Sequence, residues 1–215
     1  MGRAFGLLVA VVGWASLILQ LYLIVSGKGI QVPGYEPTLL TRIVNFFSYF
    51  TILSNTLASL LATLAVFGPQ SGLGRFFARP VVAATVAMAM IVTGLIYALV
   101  LSHLWQPVGL QYVADSGLHY VMPPLFTLYW LTVVPRDSLG LANVPSMLIY
   151  PLVYVVYSLI RGAITGWYPY PFLSVKDLGW GQVIVNMIGI AVLFAVIGAI
   201  LAGLDRLLKR KPQAA

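Results

Sequence analysis

An all-α fold of six membrane-spanning helices, with both termini cytoplasmic, is predicted by three features of this sequence. Hydrophobic residues fill 60% of its 215 positions and charged residues only 8%, against about 45–50% and about 25% in soluble domains. Six apolar runs, each long enough for the roughly 20 residues that a crossing needs, cover most of the chain. Its basic residues fall mainly into alternate connections between those runs.

The runs lie at about 4–26, 40–67, 81–105, 111–134, 146–165 and 180–204, with Gly- and Pro-bearing breakers between them. The first run is too long for a signal-peptide core and lacks a small-x-small cleavage site, so it is expected to stay as helix 1. Gly6 stands where myristoylation requires Ser or Thr, which argues against a lipid anchor. Arg3, Arg75, Arg79, Arg136, Arg206, Lys209, Arg210 and Lys211 fall on one side, and only Lys28 and Lys176 on the other. Basic loops stay cytoplasmic, which sets the orientation. Residues 1–215 thus read as one transmembrane domain of a multi-pass protein of the plasma or inner membrane.

No cysteine is present, which excludes disulfides, thiolate metal sites and iron–sulfur clusters. Neither a metal nor a cofactor is expected. The net charge of +7 sets orientation rather than nucleic-acid binding, because the basic residues sit between and beside apolar runs. Expected partners are the bilayer and a lipid, with no protein partner indicated.

Polar residues inside spans are costly unless they face the bundle interior, and the second run is the outlier. At about 100° per residue, Thr41, Asn45, Ser48, Asn55, Ser59 and Thr63 share one face, with Thr51 on its flank. Hydrogen-bonding glue between helices is the plain explanation. Two histidines, His103 and His119, sit at the outer ends of the third and fourth runs. Pro123 has no N–H, so the carbonyl of His119, four residues back, loses its helical donor. Asp115 is one turn before His119 on the same face and is suited to orient the imidazole. Arg42 and Arg161 join both histidines toward the outer leaflet, with Tyr154, Tyr157 and Asn186 able to line the same interior. Such a pocket suits a lipid or fatty-acid headgroup.

Acyl transfer is the chemistry that these residue types could run. A threonine hydroxyl needs a base, for which His119 serves with Asp115 behind it, in the order nucleophile, base, orienter. Oxyanion donors are sought among Asn55, Asn45 and Arg161. Ser48, Ser54 and Ser158 are nearly as eligible as nucleophiles by spacing alone. With 1.5 Å rise per residue, Thr51 lies roughly 16 Å and His119 about 12 Å below the outer boundary, so contact is allowed.

The stretch Asn45-Phe-Phe-Ser-Tyr-Phe-Thr51-Ile-Leu-Ser-Asn55, the run from His119 through Pro123 to Trp130, and Tyr150-Pro-Leu-Val-Tyr154 with Arg161-Gly162 and Gly166-Trp-Tyr-Pro-Tyr-Pro-Phe172 together resemble the androgen-induced-gene family of integral membrane proteins. The resemblance extends over essentially the whole chain and is nearer to the family's bacterial branch. Animal members are threonine hydrolases of fatty acid esters of hydroxy fatty acids, with one essential threonine and one essential histidine. The resemblance implies that Thr51 and His119 fill those positions and that the substrate is a fatty-acyl ester. Asp115 has no secure counterpart there. Two other classes stay open at this stage. One is a haem held by His103 and His119, and the other a lipid-binding or transport protein that keeps the pocket without the chemistry.

Overall fold

Helix follows wherever the apolar runs predict it, but glycine, proline and buried hydroxyls break the runs in informative places. The computed structural model describes residues 2–28, 37–135 and 139–208. Arg136, Lys209, Arg210 and Lys211, used above for orientation, lie outside the described residues. Helix α1 (Gly2–Val25) is continuous. Next come α2 (Leu39–Phe46), capped by the Thr38 hydroxyl on the Thr41 N–H, and α3 (Phe50–Phe67). A short α4 (Gly72–Phe77) leads to α5 (Pro80–Ile96), which has proline in its first turn and continues as a π-helical turn, Tyr97–Leu101. A second π turn, Gly117–Val121, joins α6 (Gly109–Ser116) to α7 (Met122–Val133) without a break. The chain ends in α8 (Val144–Met147), α9 (Ile149–Thr165) and α10 (Val175–Leu207). Among the described residues there is no strand.

The inner layer is built on α3 and α5, the most buried of the long helices. Helix α1 packs on α3, α6 and α7, and α5 packs on α3, α7 and α10. Gly13 makes this closeness possible: a Cβ there would fall 2.0 Å from Ser59 Oγ and 2.8 Å from the Met122 methyl. Small residues let membrane helices approach in this way. Helix α9 is held differently, through its tyrosine hydroxyls. Tyr150 OH pairs with Ser54 Oγ (3.1 Å), Tyr157 OH with Ser48 Oγ (2.7 Å), and Tyr154 OH donates to the Ser48 carbonyl (2.9 Å). These polar contacts leave room between α9 and the core for a cavity.

Among the described residues, five helices are long and apolar enough to cross a membrane: Gly2–Val25, Phe50–Phe67, Pro80–Leu101, Leu141–Thr165 and Val175–Leu207. Their outer faces are apolar too; Ile184, Val185, Ile188, Val192 and Val196 of α10 are all exposed. A surface of that kind is covered by lipid, not water. This is a membrane protein. The run Gly109–Val133 is as long as the others but carries Asp115, His119, Pro123 and Pro124.

Basic ends cluster. Arg3 Nη2 donates to the Val66 carbonyl at the end of α3 (3.2 Å), Gly2 lies beside Val133 at the end of α7, and Arg206 Nε donates to the Leu139 carbonyl (3.3 Å).

Two sequence expectations are corrected. The second run is not one helix: Tyr49 is extended (φ −82°, ψ 131°), and α2 and α3 are separate. Its predicted continuous polar face therefore does not form. Within α3, Thr56, Ser59 and Thr63 donate to carbonyls of their own helix, while Thr63 Oγ1 also accepts from Trp14 Nε1 of α1 (3.0 Å). The third run ends as helix at Leu101, not 105, so His103 sits in an exposed turn.

Candidate functional site

The break between α2 and α3 turns Thr51 from a flank residue into the second residue of a helix. A helix leaves its first N–H groups without internal partners, and the Thr51 N–H donates to Tyr170 OH at 3.2 Å. Tyr170 lies in the connection after α9, fully buried among aromatic rings. Its hydroxyl also meets Thr51 Oγ1, at 3.3 Å. Burial pushes the Tyr170 phenol above the ordinary tyrosine pKa, and the hydrogen bonds from Thr51 offset only part of that rise. It is a neutral donor at physiological pH.

On the other side of Thr51 Oγ1 stands His119 Nε2, at 3.3 Å. The opposite ring nitrogen, Nδ1, is 3.0 Å from the Asp115 carbonyl oxygen and 3.1 Å from Asp115 Oδ1. A carbonyl oxygen only accepts, so Nδ1 carries the proton and Nε2 presents its lone pair to Thr51. Asp115 is itself buried, and Tyr97 OH donates to its second oxygen. The Tyr97 ring lies flat on the imidazole, with centroids 3.8 Å apart and planes 12° apart. Thus Tyr97, Asp115, His119, Thr51 and Tyr170 form one hydrogen-bonded chain.

Both π turns serve this chain. Tyr97 opens the first and His119 is the centre of the second. In the second, the Met122 N–H bonds back to Gly117, five residues away. The next residue that could follow this register is Pro123, which has no N–H, so Leu118 is left with an orphan carbonyl. Asn55 Nδ2 fills the gap, donating to Leu118 O (3.2 Å) and to Thr51 O (2.9 Å). The His119 carbonyl is without a helical donor in either register, since Pro123 and Pro124 both lack an N–H; the π register frees Leu118 as well, and that is the carbonyl Asn55 repairs.

Asn55 thereby changes role. Both of its amide hydrogens are in use, so it braces α3 against the π turn and has no donor left for an oxyanion. Asn45 and Arg161 pair with each other (Nη2 to Oδ1, 2.6 Å), and Arg161 stacks over Trp167 at 4.3 Å. They make an adjoining cluster, connected to the site through the edges of Trp167, Tyr49 and Tyr170. Ser48 Oγ donates to Val44 O (2.6 Å) and meets the half-exposed Tyr157, away from Thr51 Oγ1. Ser54 is bound by Tyr150, and Ser158 is buried on α9. Arg42 packs its guanidinium beside Gly27, and Asn186 caps the Phe172 carbonyl (2.9 Å). His103 does not face His119, both of whose ring nitrogens are engaged. The geometry offers no pair of axial haem ligands.

Thr51 lines a half-open cavity of about 60 Å³, and the roughly 570 Å³ of atom-free space around it includes what lies beyond its mouth. Its walls come from α3, α5, α9, α10 and the connection after α9. Four of the lining residues carry a polar group: Thr51, Thr93, Tyr154 and Tyr170. The rest, Val92, Ile96, Leu173, Met187, Ile190 and Phe194 among them, are apolar. Among the described residues, no cluster of three His, Asp or Glu side chains is placed to hold a metal.

Sequence reasoning missed Tyr97, Thr93 and the role of Tyr170. Tyr97 was legible only as a polar group within an apolar span. Tyr170 stood inside the Tyr-Pro-Tyr-Pro-Phe segment, where interfacial aromatics need no special task. No family model, no curated protein and no solved structure matches the chain.

Proposed function

We propose that this protein is an intramembrane lipid-ester hydrolase in which Thr51 is the nucleophile and His119 its general base. The observation that carries the reading is the Thr51 Oγ1 to His119 Nε2 contact at 3.3 Å, backed by Asp115 and opening on an apolar cavity. That distance is slightly beyond the usual 2.6–3.2 Å reach, as is common without substrate.

The steps follow from the proton positions. An acyl chain lies in the cavity with its ester carbonyl at Thr51. His119 Nε2 takes the Thr51 proton as Oγ1 attacks, and Asp115 stabilises the imidazolium that forms. Tyr170 accepts the Thr51 N–H, so its own proton points to Oγ1 and is within reach of the carbonyl oxygen beside it. It becomes the oxyanion donor, assisted by the positive end of α3. His119 then gives its proton to the leaving alcohol. Fatty acid esters of hydroxy fatty acids fit this class, in keeping with the resemblance to the androgen-induced-gene family, of which we take the chain to be a distant member.

In this reading Gly109–Val133 is the sixth crossing, its polar side turned inward. The basic end formed by Arg3, Arg75, Arg79 and Arg206 faces the cytoplasm, both termini included. The membrane is the plasma or inner membrane, and the site lies toward its outer leaflet.

The test is covalent labelling of purified protein by a fluorophosphonate, together with hydrolysis of a long-chain p-nitrophenyl ester. Thr51→Ala and His119→Ala are expected to lose the label and at least about 10³-fold in rate. Unchanged labelling and rate in both variants would sink the proposal. Lipid recovered intact from wild-type protein that never turns ester over supports instead a binding or transport protein using the same cavity.

A further inference from the structure

Thr93 has an unusual hydroxyl in this bundle. A threonine inside a helix commonly donates to the carbonyl one turn back. Thr56, Thr63, Thr85, Thr127, Thr132 and Thr165 all do so. Thr93 lies in the regular part of α5, is 6% exposed, and its Oγ1 has no hydrogen-bond partner. It lines the same cavity as Thr51. The other three polar lining groups are engaged: Thr51 with His119, Tyr154 with the Ser48 carbonyl, and Tyr170 with Thr51.

Its position is also informative. The Tyr97 N–H bonds to the Thr93 carbonyl, so the two residues are one turn apart on one face of α5. That face carries the ring stacked on His119, and the next residue, Gly94, lies against the His119 carbonyl and Pro123. Thr93 therefore shares a cavity wall with Thr51 and lies one turn before the ring that stacks on His119.

An acyl-threonine enzyme needs water in a chamber that is otherwise apolar, and a water stays in such a place only with polar partners. The wall supplies one free group, Thr93 Oγ1. A second arises on acylation, because Thr51 Oγ1 then has no proton and His119 Nε2 has a free lone pair. We infer that Thr93 holds the water that hydrolyses the acyl-Thr51 ester, an inference that rests on the proposed threonine chemistry. The water gives one proton to His119 Nε2 as its oxygen forms a bond to the acyl carbon. The tetrahedral intermediate collapses, the bond from carbon to Thr51 Oγ1 breaks, and Oγ1 takes the proton back from Nε2. The fatty acid leaves, and Thr51 and neutral His119 are restored. Thr93 neither gains nor loses a proton.

The experiment separates acylation from deacylation. Wild type, Thr93→Val and Thr93→Ser are mixed with a long-chain p-nitrophenyl ester. The nitrophenolate burst reports acylation, and the mass of the Thr51 peptide follows the acyl adduct through a chase. Thr93→Val keeps shape and volume and is expected to burst within about twofold of wild type, while its adduct decays about 10²-fold more slowly. Thr93→Ser decays as wild type does, and hydroxylamine, which needs no positioned water, clears the Thr93→Val adduct quickly. Adduct decay within about threefold of wild type in Thr93→Val overturns the inference while leaving the threonine mechanism intact. So does an equal loss of burst and decay, which marks structural damage. If Thr93→Val fails to fold, Thr93→Ala carries the same comparison. A wild-type protein that hydrolyses the ester with no Thr51 adduct overturns the mechanism and the inference together.

Discussion

At the scale of single residues, Asp115 shows how a carboxylate is tolerated at the margin of a membrane. It is 3% exposed, yet its two oxygens meet Tyr97 OH and His119 Nδ1. Buried charge is sustained by such partners and becomes costly when one is removed. Asp115→Asn keeps the shape and the backbone carbonyl on Nδ1 but removes the charge proposed to stabilise the imidazolium. We expect kcat for a p-nitrophenyl ester to fall by about 10²- to 10⁴-fold with KM nearly unchanged, read from steady-state kinetics. A fall in KM-limited binding alone would contradict the orienting role. Asn55 acts on structure instead. Asn55→Leu leaves the Leu118 carbonyl without its donor, and detergent-solubilised protein should lose about 1–3 kcal/mol of stability, seen as a lower midpoint of thermal unfolding.

At the scale of elements, the site depends on three local departures from regular helix. The break at Tyr49 frees the Thr51 N–H, and the two π turns aim Tyr97 and His119. The third wall is the connection after α9, which delivers Tyr170. Its course is fixed by Gly162: a Cβ there would meet the Tyr168 ring at 2.0 Å, well inside contact distance. Gly162→Ala should therefore displace the connection and cost about 1–3 kcal/mol by overpacking. Activity is expected to fall together with thermal stability, because Tyr170 moves with Tyr168. Unaltered activity and stability would show that the backbone here yields freely.

At the scale of the whole molecule, the proposed orientation rests on charge, and the absence of cysteine makes it simple to test. Gln70 is exposed beside α4 at the basic end, and Gln106 is exposed in the turn between α5 and α6. Single Gln70→Cys and Gln106→Cys variants in intact cells should behave oppositely toward a membrane-impermeant maleimide. Residue 106 is expected to react from outside and residue 70 only after permeabilisation. The reverse pattern would invert the topology and place the site toward the cytoplasm.

Helix content, lipid-facing surfaces and the importance of the second and fourth runs were all legible in the sequence, because apolar length and misplaced polarity are local properties. Asp115, one turn from His119, was legible for the same reason. The register of a helix, and so the second carbonyl that is left unpaired at Leu118, was not. Single π turns are rare inside helices, and this one is met by Asn55, which bonds the Leu118 carbonyl from α3. Nor could the sequence tell a hydroxyl that satisfies itself from one that does not. Thr93 and Thr85 read alike in the chain, yet only Thr85 bonds its own helix. By itself the sequence determined that this chain is a bundle of membrane helices with polar residues inside it. Only the tertiary structure decided which of those residues touch, because each polar group's partner is set by distances between helices that no local pattern encodes.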